Sequence, residues 1–237
     1  MTLVVAAKPV IPNFGQGSSC ERNNGWFCTD WLHAHWSDTL QPALVQHIEL
    51  ALIAVAIGFV LASALALIGF RYRFVDPPIG LFADFLYTIP SLALFQLLVP
   101  ITGLTVTTVE IALVSYTLLI LYGNMIAGLR AVPPETLEAA RGTGLTRRQT
   151  FTRVELPLAL PAIMAGLRVA TVSTVSIATV AAFVIPKGLG YPIYIALQQD
   201  LFKTEILAAG LLAIGLALCA DFLLVFVQRL LTPWTRA

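Results

Sequence analysis

Five long apolar runs, at residues 44–69, 78–100, 107–129, 158–184 and 206–230, alternate with short polar intervals along the chain. Each is close to the roughly 20 residues that cross a hydrocarbon core. In lipid every backbone amide must find its partner within its own segment, so the pattern predicts five transmembrane helices and an all-α integral membrane protein. Residues 1–42 read as a polar tail and residues 233–237 as a short terminal one, which leaves 43–232 as the membrane domain. Inside that domain one polar interval, 130–157, is far longer than the turns around it.

That interval has internal order. Pro133-Pro134 is a helix start, followed by Glu135 through Ala140. Gly142 and Gly144 supply a break, because glycine takes positive φ at no steric cost. A second short helix, over about 146–153, carries Arg147, Arg148 and Arg153, and Pro157 and Pro161 begin the next apolar run. The expectation is a helix–turn–helix outside the bilayer, with small residues on one side and arginines on the other. It has the makings of a docking knob, not of an active site.

Composition supports the membrane reading. Of 237 residues 58% are hydrophobic and 11% charged, against about 25% charged in soluble domains. A net charge of +1 gives no footprint for nucleic acid. Position matters more: with the 130–157 loop inside, Arg71, Arg73, Arg130, Arg141, Arg147, Arg148, Arg153, Arg229 and Arg236 lie inside, nine basic residues in all. Lys8, Arg22, Lys187 and Lys203 make four outside. This asymmetry places the N-terminus out and the C-terminus in. Residues 1–9 lack the basic start and apolar core of a cleaved signal peptide. No G-x-x-x-x-G-K-[ST] loop is present, and none of Lys8, Lys187 and Lys203 follows a glycine, so the chain carries no nucleotide site of its own.

Within the spans several residues invite chemistry. Pro90, in Tyr87-Thr88-Ile89-Pro90-Ser91, interrupts the second run; such a kink either lines a translocation path or serves packing alone. Asp84, Arg168 and Asp221 fall in the inner halves of their spans, where lone charges are costly. Arg168 is expected to pair with Asp221 or Asp84 as a clamp between helices, with a proton relay as the other reading. Thr171, Ser173, Thr174, Ser176 and Thr179 suit glue between helices, with a path-lining role as the other reading, and Gly210 and Gly215 suit close helix contact. Glu49 and Glu110 lie near outer ends, within reach of water, and carry no assignment. Cys219 reads as a small apolar packing residue.

In the tail, Trp26, Trp31 and Trp36 precede the first span and Trp234 follows the last, as interface anchors do. Cys20 and Cys28 suit a disulfide if the tail faces an oxidising space. With His33 and His35 they fit no standard zinc spacing, so no metal site is expected. Residues 185–192 predict a turn, with a short helix after it against the outer face.

The long loop also resembles a known pattern. Glu138-Ala139-Ala140, three residues, Gly144, nine residues, Val154, one residue and Leu156-Pro157 is similar to the EAA loop of ABC importer permeases. Thr88-Ile89-Pro90-Ser91-Leu92-Ala93-Leu94, Glu155 to Pro161 with Ala165-Gly166-Leu167-Arg168, and Ile177 to Phe183 with Gly188-Leu189-Gly190 resemble permeases for glycine betaine, carnitine and choline. The resemblance covers roughly residues 44–230. It implies a type I importer permease fold in a cytoplasmic (inner) membrane, with the loop seated in a groove of a cytoplasmic ATPase. It further implies an ATPase dimer that binds ATP and Mg, an extracytoplasmic substrate-binding protein and a second permease subunit, identical or homologous. An ion-coupled secondary transporter is the alternative, as is an importer for another small solute.

Overall fold

The computed structural model describes residues 18–199 and 201–236, all of whose regular elements are helical. Residues 1–9 and Lys8 of the charge asymmetry lie outside them. Two short helices, α1 (Ser19–Arg22) and α2 (Thr29–Ala34), lead through a π-turn, Trp36–Leu40, directly into α3 (Gln41–Arg71). Then follow α4 (Asp76–Thr88), α5 (Ser91–Thr102) and α6 (Val106–Arg130). The polar loop forms α7 (Pro134–Gly142) and α8 (Arg147–Thr150), and a second π-turn, Phe151–Glu155, runs into α9 (Leu156–Ala178). The chain closes with α10 (Gly190–Gln199) and α11 (Lys203–Leu231).

Four helical stretches are long and apolar enough to span a membrane: Trp36–Arg71, Val106–Arg130, Arg147–Phe183 and Lys203–Leu231. The second apolar run departs from the expected continuous, kinked helix. It is two helices, α4 and α5, bent by 98°. The residue before a proline is pushed out of the helical region, and Ile89 (ψ 126°) and Pro90 (ψ 136°) are both extended here. The first span likewise runs unbroken across the boundary expected near residue 42.

α6 is the central post, packed by α3 on one side and α9 on another. α3 meets it through a small-residue stripe, Ala54, Gly58, Ala62 and Ala66, all buried at intervals of four. Such a stripe lets backbones approach closely, and the approach is tight. A β-carbon added at Gly58 would stand 1.9 Å from Thr117 Oγ1. At the α6–α9 crossing Gly166 is equally bound, its absent β-carbon 2.5 Å from Asn124 Cβ. α11 lies outermost, with Leu211, Ile214, Leu218, Phe222 and Phe226 exposed, as suits a face turned to lipid or to another subunit. Gly210 and Gly215 meet nothing within 4 Å, so the close contact expected of them is not made within the chain. Cys219 is also exposed on α11 instead of packed.

The fourth-span hydroxyls do not bridge helices as expected. Thr171, Thr174, Ser176 and Thr179 donate to the carbonyls of Leu167, Ala170, Val172 and Ser176 on their own strand of helix. A hydroxyl one turn above a carbonyl satisfies itself locally.

The described part of the N-terminal tail, from residue 18 on, is a folded lobe on the end of the bundle opposite α7. Cys20 and Cys28 are joined in a disulfide. Cys28 N–H donates to Thr204 Oγ1 (3.1 Å), Thr204 Oγ1–H donates to Gly25 O (2.9 Å) and Lys203 N–H donates to Asn24 Oδ1 (3.0 Å). The lobe thereby caps the start of α11. Trp26 and Trp36 are exposed, as interface anchors require, but Trp31 is not one of them. It stacks on His35 and meets Phe202 edge-on, packed with Leu40 and Ala209.

Candidate functional site

The loop between α6 and α9 is built by local rules. Pro134 at the first helical position needs no amide partner, and Glu135 complements the positive helix start. The helix then closes with a Schellman motif: Gly144 N–H donates to Arg141 O (2.9 Å) and Leu145 N–H to Ala140 O (3.3 Å). This geometry requires a left-handed residue, and Gly144 supplies it at φ +82°. The spacing from Ala140 to Gly144 is therefore the spacing of a helix stop. Gly142, expected to share in the break, lies within α7 and has ordinary φ. Thr146 caps α8 in a reciprocal box with Gln149, which fixes Arg147 and Arg148 on the short helix.

Exposure follows from this frame. Ala140 and Leu145 turn inward, while Glu138, Ala139, Gly144, Arg147 and Arg148 stand outward. Leu156 and Pro157 open α9, and α8 continues into it through the π-turn with no separate linker. From Arg147 the chain is thus one continuous helical stretch that reaches Phe183. Phe151 meets Phe70 of α3, with ring centroids 6.2 Å apart, tying the loop to a second span.

The bend at Pro90 is held from α6. Tyr116 O–H donates to the Ile89 carbonyl, which has no partner inside either flanking helix, and the Tyr87 ring meets Tyr116 edge-on at 5.8 Å. Thr88 Oγ1–H donates to Asp84 O (2.8 Å). Tyr87, Thr88 and Pro90 are exposed and Ser91 half-buried, so the bend keeps an exposed face beside its contact with Tyr116.

The intramembrane charges resolve into one pair. Arg168 Nε donates to Asp221 Oδ1 (2.8 Å) and Nη2 to Oδ2 (3.0 Å). Asp84 takes no part; it faces outward from α4. A second pair escaped the sequence reading. Arg130 Nη1 donates to Asp76 Oδ2 (2.7 Å), and Tyr122 O–H donates to the same carboxylate. Arg130 ends α6 and Asp76 starts α4 at one level; in the sequence Arg130 served only as an orientation marker and Asp76 carried no assignment. Glu110 also differs from expectation: both its carboxylate oxygens are buried with no hydrogen-bond partner among the described residues.

His47 was missed as well. Its Nδ1 accepts from Leu189 N–H (3.1 Å), so Nε2 carries the proton and donates to Val175 O (2.9 Å). The neutral ring joins α3, α9 and the Gly188-Leu189-Gly190 turn. Gly188 sits at φ +75°, and a β-carbon on Gly190 would lie 1.9 Å from Thr179 O, so both glycines are sterically required.

A bundle of apolar spans, one broken at its middle, with a rigid polar knob continuous with another, defines the membrane subunit of a solute transporter. Residues 54–237 match the model of the binding-protein-dependent transport system inner membrane component, and the chain belongs to that family. It is 34% identical over 189 residues to the choline transport system permease protein OpuBB of Bacillus subtilis, covering 79% of this chain and 86% of that one. It is 33% identical over 193 residues to the osmoprotectant import permease protein OsmW of Salmonella typhimurium, covering 79% and 89%. Among solved structures, an inward-facing form of the MetNI methionine ABC transporter shares the fold: TM-score 0.73, 19% identity, 84% of this chain and 98% of that one. The chain is the permease subunit of an ABC importer, a multi-pass inner-membrane component. The expected permease fold is the observed one.

Proposed function

We propose that this permease carries quaternary-amine osmoprotectants, the class that includes glycine betaine, carnitine and choline. Support comes from the relatives named for choline and osmoprotectant import. In this reading the loop faces the cytoplasm and α7 seats in a groove of an ATPase dimer, which binds ATP and Mg. The observation that carries it is the Gly144-stopped α7 with Glu138 and Ala139 outward, followed across a short turn by α8, which runs without a linker into α9. Closing of the ATPase dimer on ATP moves the loop and rocks the spans. An extracytoplasmic binding protein delivers solute to the opposite end, and a second permease subunit, identical or homologous, completes the path. The patch at Tyr87, Thr88, Pro90 and Ser91 lines it.

Solute selection falls to the binding protein, since a quaternary ammonium is recognised by an aromatic cage. The test is a mild-detergent pull-down of the tagged chain from native membranes, followed by ligand titration of the co-purified binding protein. Recovery of a Walker A ATPase and of a binding protein that takes glycine betaine, choline or carnitine is expected. A binding protein that ignores all quaternary amines overturns the solute assignment.

A further inference from the structure

Between the loop end of α3 and the loop itself lies a cavity of about 800 Å³. Arg71, Arg141, Arg147 and Arg148 line it, against a single lining carboxylate, Glu155, on which the charges of Arg147 and Arg141 act. Among the described residues none of these four guanidinium groups forms an ion pair, whereas Arg130 and Arg168 each do. Four cations set against one carboxylate leave an excess of positive charge at the cavity, and an anion relieves it.

Apart from Thr150 the remaining walls are apolar. Leu67, Phe70 and Phe151 form them, and Leu67 and Phe151 also line a second cavity of about 220 Å³ between α3, α6 and α9. That neighbour is hydrocarbon throughout apart from Ser63, with Phe59, Met125, Leu129 and Leu160 in its walls. Arg71 is the last residue of the first span and Leu67 lies one turn further into it. The cationic mouth therefore stands at the level where α3 leaves the bilayer, and the apolar cavity lies on its membrane side.

We infer that the two cavities bind one anionic phospholipid of the cytoplasmic leaflet, its phosphate held by Arg71, Arg141, Arg147 and Arg148 and the first part of an acyl chain in the apolar space. The leaflet rests on the orientation given under Proposed function. Basic pockets between spans on the cytoplasmic side suit anionic headgroups, and the guanidinium fork matches phosphate oxygens in two-point contact. A free phosphate makes no use of Phe70, Phe151 or the second cavity. An acidic side chain of a docked protein reaches the arginines but not the space above them.

The experiment is native mass spectrometry of the assembled importer, delipidated and titrated with phosphatidylglycerol or phosphatidylcholine. Phosphatidylglycerol is expected to be retained at least about fivefold better than phosphatidylcholine, falling to parity in Arg71→Gln/Arg148→Gln. Arg71→Lys/Arg148→Lys restores part of the preference, which an unfolded variant cannot. Equal retention of the two lipids in the parent protein overturns the site. Displacement by millimolar inorganic phosphate or glycerophosphoglycerol assigns the cavity to a free anion and overturns the lipid. Retention by the permease alone but not by the assembled importer assigns it to the ATPase and overturns it too. Orientation is read separately, by labelling Thr152→Cys in a Cys219→Ser background with a membrane-impermeant thiol reagent from each side. Labelling from outside refutes the orientation and the leaflet; labelling from inside with no lipid preference refutes this site alone.

Discussion

Arg168 of α9 and Asp221 of α11 meet in a two-point contact, with both guanidinium-to-carboxylate distances at or below 3.0 Å. Each side chain keeps about a third of its surface or less exposed, 34% and 27%, on a face of the bundle that holds a cavity of about 440 Å³. Two opposite charges at one level between α9 and α11 fasten α11, which packs chiefly on α9 and α10. A bare charge left at this depth is the costly state.

Arg168→Met is accordingly expected to lower thermal stability in detergent by several degrees, and Asp221→Leu to do the same. The double variant should recover most of the loss, because no unpaired charge remains. A double variant as unstable as the sum of the two singles contradicts the clamp. Substrate uptake that survives in the double variant also excludes a proton relay through the pair.

Tyr116 holds the bend of the broken span by donating to the Ile89 carbonyl. Tyr116→Phe leaves that carbonyl without its donor, at a cost of about 1–3 kcal/mol. Hydrogen exchange should speed up around the N-terminus of α5 in the variant while α9 is unchanged. Unaltered exchange there would show that the bend stands without Tyr116.

The α3–α6 crossing depends on Gly58. Gly58→Ala drives a methyl group into Thr117 and is expected to cost about 1–3 kcal/mol by overpacking. Thr117→Ala in the same chain removes the hydroxyl that the new methyl meets and should return part of the loss. Equal melting temperatures for Gly58→Ala and the parent would mean that the helices are not this close.

Reduction of the Cys20–Cys28 bridge opens a loop of sequence separation 8, whose closure is worth about 2–3 kcal/mol on the chain-entropy account. The lobe, tied to α11 through Thr204 and Asn24, should then become sensitive to limited proteolysis while the spans stay protected. A lobe equally resistant in Cys20→Ser/Cys28→Ser places its stability in Trp31 and Phe202 instead.

The spans were legible because run length alone determines what crosses a bilayer. The break in the 130–157 loop was legible because its spacing is helix-stop chemistry: Ala140 and Gly144 stand where the Schellman motif needs them. The facing of each helix was not. Asp84 and Asp221 lie at similar depth in their spans, and only packing shows that Asp221 reaches Arg168. The same limit hid Glu110, whose nearness to a span end suggested water while its carboxylate is enclosed. Trp31 and His47 were misjudged or missed because a residue's role at a helix end depends on the distant segment that meets it, here Phe202 and Leu189.

Enclosure of an unpartnered carboxylate has its own consequence. Glu110→Met removes a group with no hydrogen bond to lose among the described residues, and is expected to raise the melting temperature of the chain. A fall of several degrees would show that the carboxylate holds a partner in the assembled protein.

In the proposed mechanism the Gly144-stopped loop transmits the work of a separate ATPase to the spans. Gly144 has open space around it, with nothing within 4 Å of a new β-carbon, and aspartate is among the residues that tolerate its left-handed backbone. Gly144→Asp should therefore fold normally but place charge and bulk on the docking face. The measurement is solute uptake and ATP hydrolysis by the importer reconstituted in proteoliposomes. Loss of uptake with hydrolysis retained, or loss of ATPase docking with the permease still folded, is the predicted result. Undiminished uptake in a folded Gly144→Asp importer would contradict the coupling assignment.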